Sequence, residues 1–563
     1  MVRSISKDAI NVINNKQKMT EAGPGVFVFY DTETSGLDRD FSQILQIALV
    51  FTDGDLNVLS TKKLECRRSP WIVPSPGAML ITGFSPDDLK NNAQSHYEMM
   101  CEVDDWLRSQ HWPLTFVGYN SMGFDEAVLA QNLHQNLLDP NLTTSRNNIN
   151  GQPNGRADVL TLARAAAVYM PGVLKLDRLN DKGSAPSFTL QNVAEQNGVS
   201  LSGEDAHDAM NDVKATVGVA KFIKKAAPQL WDQMTSLSTS EGVDDFLRLN
   251  EVFTHMDTAY GRTRTSVATC AAANEEESDL RVLFDLSIDP KKYQDMSVEE
   301  IVDCMRQRTD VVPPQPFILA RSGSQPVLMP MELSDAVLPA NYDEKLFQQR
   351  AADIAADAAF QDKMLKAAVI ADASRLANTA KPLVEQMTEK TPSDENLKKM
   401  QVWTEEFHAT ANWKEAADLA LGFPERFAEE LKEDIDLRRY AAFARRIVFE
   451  HAPEELGDGV REVMMRNTAS RILNPDPKAP YMTVLKARRE LEQIERERTA
   501  GAAKWKDVTD GQIRALKLYY TAIEKEYAPH LPGYQQANNN TAPAETQNKP
   551  PSAGNKGSGG PGR

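Results

Sequence analysis

Val26-Phe27-Val28-Phe29-Tyr30-Asp31-Thr32-Glu33-Thr34-Ser35-Gly36-Leu37 is the stretch on which the fold turns. Its first five residues are apolar and β-prone, the composition of a strand covered on both faces. A strand over Val26–Tyr30 then runs straight into Asp31 and Glu33. Side chains two apart on a strand share a face, so the two carboxylates project together. Paired acids at a desolvated strand end repel unless a cation neutralises them, and hard oxygen donors of this kind suit Mg²⁺ or Mn²⁺.

Outward from this strand the texture is that of an α/β domain with a mixed sheet flanked by helices, expected over residues 26–227. Gln43–Phe51 and Leu56–Leu64 read as strands joined at Asp53-Gly54-Asp55, and Leu114–Val117 as a third short one. Ala93–Ser109, Asp125–Leu138, Ser187–Asn197 and Ala209–Ala226 carry helical periodicity. Over 228–367 short β-prone pieces (Thr265–Ala271, Leu280–Asp285, Pro316–Ala320, Gln325–Met329) alternate with turn residues and one helical stretch, Ser297–Arg308. That pattern predicts a small β-barrel or sheet with inserted helices. Residues 368–534 read as a helical domain, 1–25 as a flexible polar leader, and 535–563 as a tail too polar to offset its ordering entropy.

A chain of 563 residues exceeds what one hydrophobic core serves, which supports this division. With 41% hydrophobic and 25% charged residues it is neither collagenous nor wholly disordered. It contains no apolar run of the roughly 18 residues that a membrane span needs. Cys66, Cys101, Cys270 and Cys304 are scattered without metal-type spacing, which fits a reducing cytoplasm. The net charge of −17 excludes generic adhesion to nucleic acid or anionic membrane and leaves room only for a local basic groove.

Two further elements bear on chemistry. Val117-Gly118-Tyr119-Asn120-Ser121-Met122-Gly123-Phe124-Asp125 reads as strand, loop and helix start, and Asp125 taken alone is a good helix cap. His207-Asp208-Ala209-Met210-Asn211-Asp212 precedes and opens the helix Val213–Ala226, so one loop aims His207 and Asp212 together. Each element alone is an ordinary cap or turn. The ordered set of Asp-x-Glu, Asn-x-x-x-x-Asp and His-x-Ala-x-x-Asp is not.

That set resembles the DEDDh family of 3′→5′ exonucleases, which share a ribonuclease-H-like fold; the His-x-Ala-x-x-Asp spacing marks the histidine branch. Val73–Pro86, Ser187-Phe188-Thr189-Leu190, Asn250–Phe253, Tyr260-Gly261-Arg262, Val282–Leu286 and Leu437–Leu456 extend the likeness toward a bacterial branch that degrades single-stranded DNA, over roughly residues 26–530. The resemblance implies a Src-homology-three-like barrel and a helical domain attached to the nuclease domain. It implies a monomeric, cytoplasmic enzyme of DNA repair that hydrolyses single-stranded DNA from the 3′ end to nucleoside 5′-monophosphates. Two Mg²⁺ ions, for which Mn²⁺ substitutes, are expected on Asp31, Glu33, Asp125 and Asp212, with His207 as general base. Glu33, Asn120, Arg156, Arg164, Arg262 and Arg264 are the candidate substrate contacts, and Leu80 and Phe124 the candidate base-stacking wedges. The implied partner is the acidic C-terminal tail of single-stranded DNA-binding protein. Two departures concern DNA grip: Thr189 and Ala130 stand where the branch has arginines. An RNA-trimming exonuclease of the same fold, or an inactive nucleic-acid-binding scaffold, stays open at this point.

Overall fold

The computed structural model describes residues 26–110, 113–144, 151–179, 185–199, 208–259, 262–273, 279–307, 315–340, 342–376, 394–434 and 437–534. The expected leader, the expected tail and His207 lie outside the described residues.

Strand β1 (Val26–Thr34) is the middle of a five-stranded sheet in the order β3-β2-β1-β4-β5. It runs four residues past the expected end at Tyr30, because β2 (Ile44–Thr52) keeps pairing with it, Asp31 opposite Ala48 and Glu33 opposite Gln46. The two acids therefore stand on the strand itself. β2 is buried along its whole length, whereas β3 (Val58–Glu65) is an edge strand exposed on alternate residues. β4 (Leu114–Gly118) runs parallel to β1, and β5 (Gly155–Asp158) parallel to β4.

Period-two alternation along β1 sorts its side chains into two cores. Val28 and Tyr30 pack with Ile47 and Leu49 against helices α3 (His96–Arg108) and α4 (Asp125–Gln135), through Met99, Val103, Leu129 and Leu133. Here α1 is Pro76–Thr82 and α2 is Pro86–Asn91. Phe27 and Phe29 face the other way with Ala48 and Val50. They meet α5 (Val159–Tyr169), α6 (Leu190–Gln196) and α7 (Ala209–Ala226) through Leu162, Ala166, Val193, Val213 and Ala220. Asp31 and Glu33 share this second face, which places α7 over them. Each fully buried Val, Leu or Phe here contributes about 1.5–3 kcal/mol. Truncating Phe29, which is wholly buried, costs about 3–5 kcal/mol.

The helices α8 (Pro228–Ser236) and α9 (Ser240–Leu249) bridge to a second sheet. Trp231 of α8 packs edge-on against Phe27 at 5.5 Å, so chain beyond the expected boundary at 227 still contributes to the first core. The second sheet is antiparallel in the order β10-β6-β7-β8-β9: β6 Phe253–Ala259, β7 Arg262–Ala273, β8 Leu280–Asp285, β9 Phe317–Arg321 and β10 Val327–Pro330. The 3₁₀ turn Ser322–Ser324 joins its two edge strands. Helix α10 (Val298–Arg306), α11 (Glu344–Ala355) and α12 (Ala358–Leu376) pack on it through Ile301, Phe347, Ile354, Phe360 and Met364 against Val282, Phe284 and Phe317. Helix α12 thus runs across the expected division at residue 367.

Helices α13 to α19 follow: Asp394–His408, Trp413–Arg426, Glu430–Glu433, Arg438–His451, Gly457–Ile472, Val484–Thr499 and Asp510–Tyr527. They dock on the first domain in two places. Trp403, Phe407 and Phe443 close over Tyr97 and Leu137, while Leu491, Ile513 and Tyr520 close over Leu45, Val73 and Met79. Among the described residues no helix is long and apolar enough to cross a membrane.

Candidate active site

The site lies where β1 emerges between α4 and α7. α7 is set by its own start: Asp208 caps it by accepting from the Met210 N–H at 3.0 Å, and Gln46 of β2 accepts from the Ala209 N–H at 2.8 Å. Lys63 of β3 pairs with Asp208 from the side. These ties fix the first turn of α7, and with it Asp212, above Asp31 and Glu33. Asp31, Glu33 and Asp212, all half-buried, each offer a carboxylate oxygen, and the three oxygens lie within 4.8 Å of one another.

Asp125 arrives from the opposite side. After β4 the chain turns through Asn120, at φ 64°, a left-handed conformation that Asn tolerates well. It then makes the 3₁₀ turn Ser121–Gly123 and enters α4 at Asp125. Gly118 is required here, since a Cβ on it would sit 2.3 Å from the Ser121 Cβ. Asp125 is buried, and its Oδ1 accepts from the Thr32 hydroxyl at 2.5 Å. Thr32 lies between Asp31 and Glu33 in sequence and points to the α4 face, so β1 reaches all four carboxylates.

The electrostatics follow from crowding. Burial, then Asp125, Glu33 and Asp212, hold the Asp31 carboxyl well above the usual carboxylate range. Burial, then Asp212, Asp125 and Asp208, push Glu33 up to about 8. Burial raises Asp125 to about 6 against the Thr32 hydrogen bond. Four acids thus share a space in which they cannot all ionise unaided. The donor set fits a divalent cation: every ligand atom is a hard oxygen, and the charge left uncompensated is what such an ion neutralises.

The other candidates are placed as follows. Asn120 is a turn residue whose N–H donates to Asp158 Oδ1 at 3.0 Å. Arg156 pairs with Glu126, the neighbour of Asp125 in α4. Arg164 lies 6.0 Å from the Phe188 ring, in a groove of about 550 Å³ between α5 and the second sheet. Arg264 is exposed on β7, opposite Asp257, and the side chain of Arg262 lies outside the described residues. Leu80 packs against the core under α18 and α19, and Phe124 against the core under α4. Thr189 caps α6, accepting from the Asn192 N–H at 3.4 Å.

Sequence reasoning missed Thr32, Gln46 and Asp158, whose roles depend on partners distant in sequence. The helical region contributes as well: Glu490 of α18 accepts from the Ser75 hydroxyl at 2.7 Å and the Gly77 N–H at 3.1 Å. The Ser75 N–H in turn donates to Ser35 C=O at 2.8 Å, two residues beyond Glu33.

Residues 28–220 match the model of a family described as Exonuclease, RNase_T. Exodeoxyribonuclease I of Buchnera aphidicola (subsp. Schizaphis graminum) is 31% identical over 207 residues, 37% of this chain and 41% of the relative, so the match spans about two fifths of that relative's length. A zinc-bound complex of Escherichia coli ExoI with single-stranded DNA superposes with a TM-score of 0.67 at 20% identity, covering 89% of this chain and 99% of that one. An ExoI/SSB-Ct complex gives 0.66 at 18% identity, again over 89% and 99%. Residues 28–220 are thus similar in sequence to exonucleases, and the chain shares its fold, through the second sheet and the helical region, with the solved exonuclease I structures.

Proposed function

We propose that the chain is a single-strand-specific 3′→5′ exodeoxyribonuclease of DNA repair that releases nucleoside 5′-monophosphates. The observation that carries this reading is the meeting of the Asp31, Glu33 and Asp212 oxygens within 4.8 Å, with Asp125 held to the same strand by Thr32. Two Mg²⁺ ions, or Mn²⁺ in their place, would supply Lewis-acid stabilisation of the leaving oxygen and lower the pKa of the attacking water. Asp31, Glu33, Asp125 and Asp212 would hold these ions. His207 takes the water's proton, a task suited to its near-neutral intrinsic pKa.

The nuclease domain, the second sheet with its helices and the helical region act together as a monomer in the cytoplasm, with Arg262 and Arg264 on the DNA path. Its protein partner is the C-terminal tail of single-stranded DNA-binding protein, as in the ExoI/SSB-Ct complex. The groove that holds Arg164 and Arg321, together with Asp257 and Asp372, is a candidate seat for it. There the tail would share Arg321 with Asp279 and Asp372.

End-labelled single strands test the reading. Linear DNA with a free 3′ end should be degraded to mononucleotides in Mg²⁺ and not in chelator. A 3′-blocked strand and a circle should resist. Cleavage of the circle would make the enzyme an endonuclease, and faster release from a matched RNA oligonucleotide would reassign it to RNA trimming.

A further inference from the structure

The turn between β9 and β10 ends at Gln325, which is 5% exposed and sits at φ 47°, ψ 62°. Glycine and asparagine adopt this left-handed region with little strain, and glutamine has no such advantage. What the position uses is the side-chain amide. Its Oε1 accepts from the Asp158 N–H at 3.0 Å, and its Nε2 donates to Met234 C=O at 2.9 Å. One side chain of the second sheet thus satisfies two buried backbone groups of the first domain and its bridging helix.

From Asp158 the contacts lead to the carboxylate cluster. Asp158 ends β5, and its Oδ1 accepts from the Leu160 N–H at 2.8 Å and the Asn120 N–H at 3.0 Å. Asn120 opens the short turn that delivers Asp125. Two residues earlier on β5, Arg156 pairs with Glu126, next to Asp125. The same turn touches this brace too: a Cβ on Gly323 would lie 3.3 Å from Arg156 Nη2. β5 therefore steadies Asp125 from both sides, and the turn Ser322–Gln325 steadies β5.

We propose that Gln325 is a positioning residue for the exonuclease reaction: it locks the end of β5 and, through Asp158 and Asn120, sets where the Asp125 carboxylate stands. The inference rests on the reaction proposed above. In consequence the second sheet takes part in assembling the catalytic site, beyond any role along the DNA path.

Two variants of the full chain separate this from a merely structural role. Gln325→Gly relieves the backbone and deletes the amide, whereas Gln325→Glu keeps the acceptor for the Asp158 N–H and loses the donor. Amide exchange is followed in peptides covering residues 119–125 and 157–161, Mn²⁺ binding by titration calorimetry, and kcat and KM on single-stranded DNA. For Gln325→Gly the expected result is exchange about tenfold faster in both peptides and weaker Mn²⁺ binding. A kcat about 10- to 100-fold lower should accompany it, with KM within about threefold, as a displaced catalytic group gives. Gln325→Glu should fall between this variant and wild type, with exchange at 157–161 near wild type, and it decides the matter if the glycine variant melts early. Wild-type exchange, Mn²⁺ affinity and kcat in Gln325→Gly would overturn the proposal and leave the reaction standing. An inactive wild type would overturn the reaction, while exchange and Mn²⁺ binding would still decide the positioning role.

Discussion

Glu33→Gln should make the metal-free protein more stable above pH 8, although it removes a ligand. The Glu33 carboxyl titrates at about 8 instead of 4.5, so the native state holds a proton there that the unfolded chain releases. The sign follows by linkage: with more protons bound in the folded state, the stability this carboxyl contributes falls as pH rises from about 4.5, and that contribution is gone above about 8. At about 1.4 kcal/mol per unit the rise sets a ceiling of about 5 kcal/mol. Partial exposure of the group reduces this to about 2 kcal/mol. Glutamine has the shape of the protonated acid and does not titrate, so wild type and variant should melt alike near pH 5 in chelator. At pH 8.5 in chelator the variant should melt about 4–8 °C higher, for a domain of this size. Excess Mg²⁺ should reverse the order, because it binds the native wild-type site and stabilises it by mass action. Scanning calorimetry of both proteins over this pH range, with chelator and with Mg²⁺, is the assay. A wild type as stable as the variant at pH 8.5 in chelator would show that the acids are not forced together, and the metal argument would fail with it.

Asp31→Asn and Asp212→Asn should each abolish turnover and weaken Mn²⁺ binding by calorimetry, since each removes a charged ligand. His207→Ala should bind Mn²⁺ as wild type does and lose about 10²–10⁴-fold in turnover; a wild-type rate would mean another group takes the proton. Gly118→Ala should lower both melting temperature and kcat, because the added methyl meets Ser121 and displaces the turn before Asp125. Thr189→Arg should lose about 1 kcal/mol of helix capping. It should also steepen the salt dependence of single-strand binding by about −0.7 in slope; an unchanged slope would place the side chain away from the DNA.

Much of this was legible in the sequence where chemistry and local pattern coincide. The apolar run of β1, the Asp-x-Glu on its far half and the helix carrying Asp212 lie within single elements, so spacing alone places them. Beyond Tyr30 the strand continues through polar residues, and only pairing with β2 reveals it. β5 was invisible for a related reason: Gly-Arg-Ala-Asp has no strand character, and its extended form comes from β4 beside it. Arg156 illustrates the limit for charged residues, since nothing local says that Glu126 neutralises it. Asp158 and Gln325 look like an ordinary cap and an ordinary turn residue until the two sheets are brought together.

The contact of Glu490 with Ser75 and Gly77 has a genetic consequence. The family segment ends at residue 220, and a search for loss-of-function alleles would be expected to cluster there. A Cβ on Gly77 would lie 2.6 Å from Glu490 Oε1, so the α18 carboxylate presses directly on the turn tied to Ser35. Alleles at position 490, some 270 residues past the matched segment, should therefore score as nuclease defects in an activity screen while the encoded protein accumulates normally. Mapped onto the linear gene they would look like a second function; mapped onto the fold they fall within reach of the strand that carries Glu33.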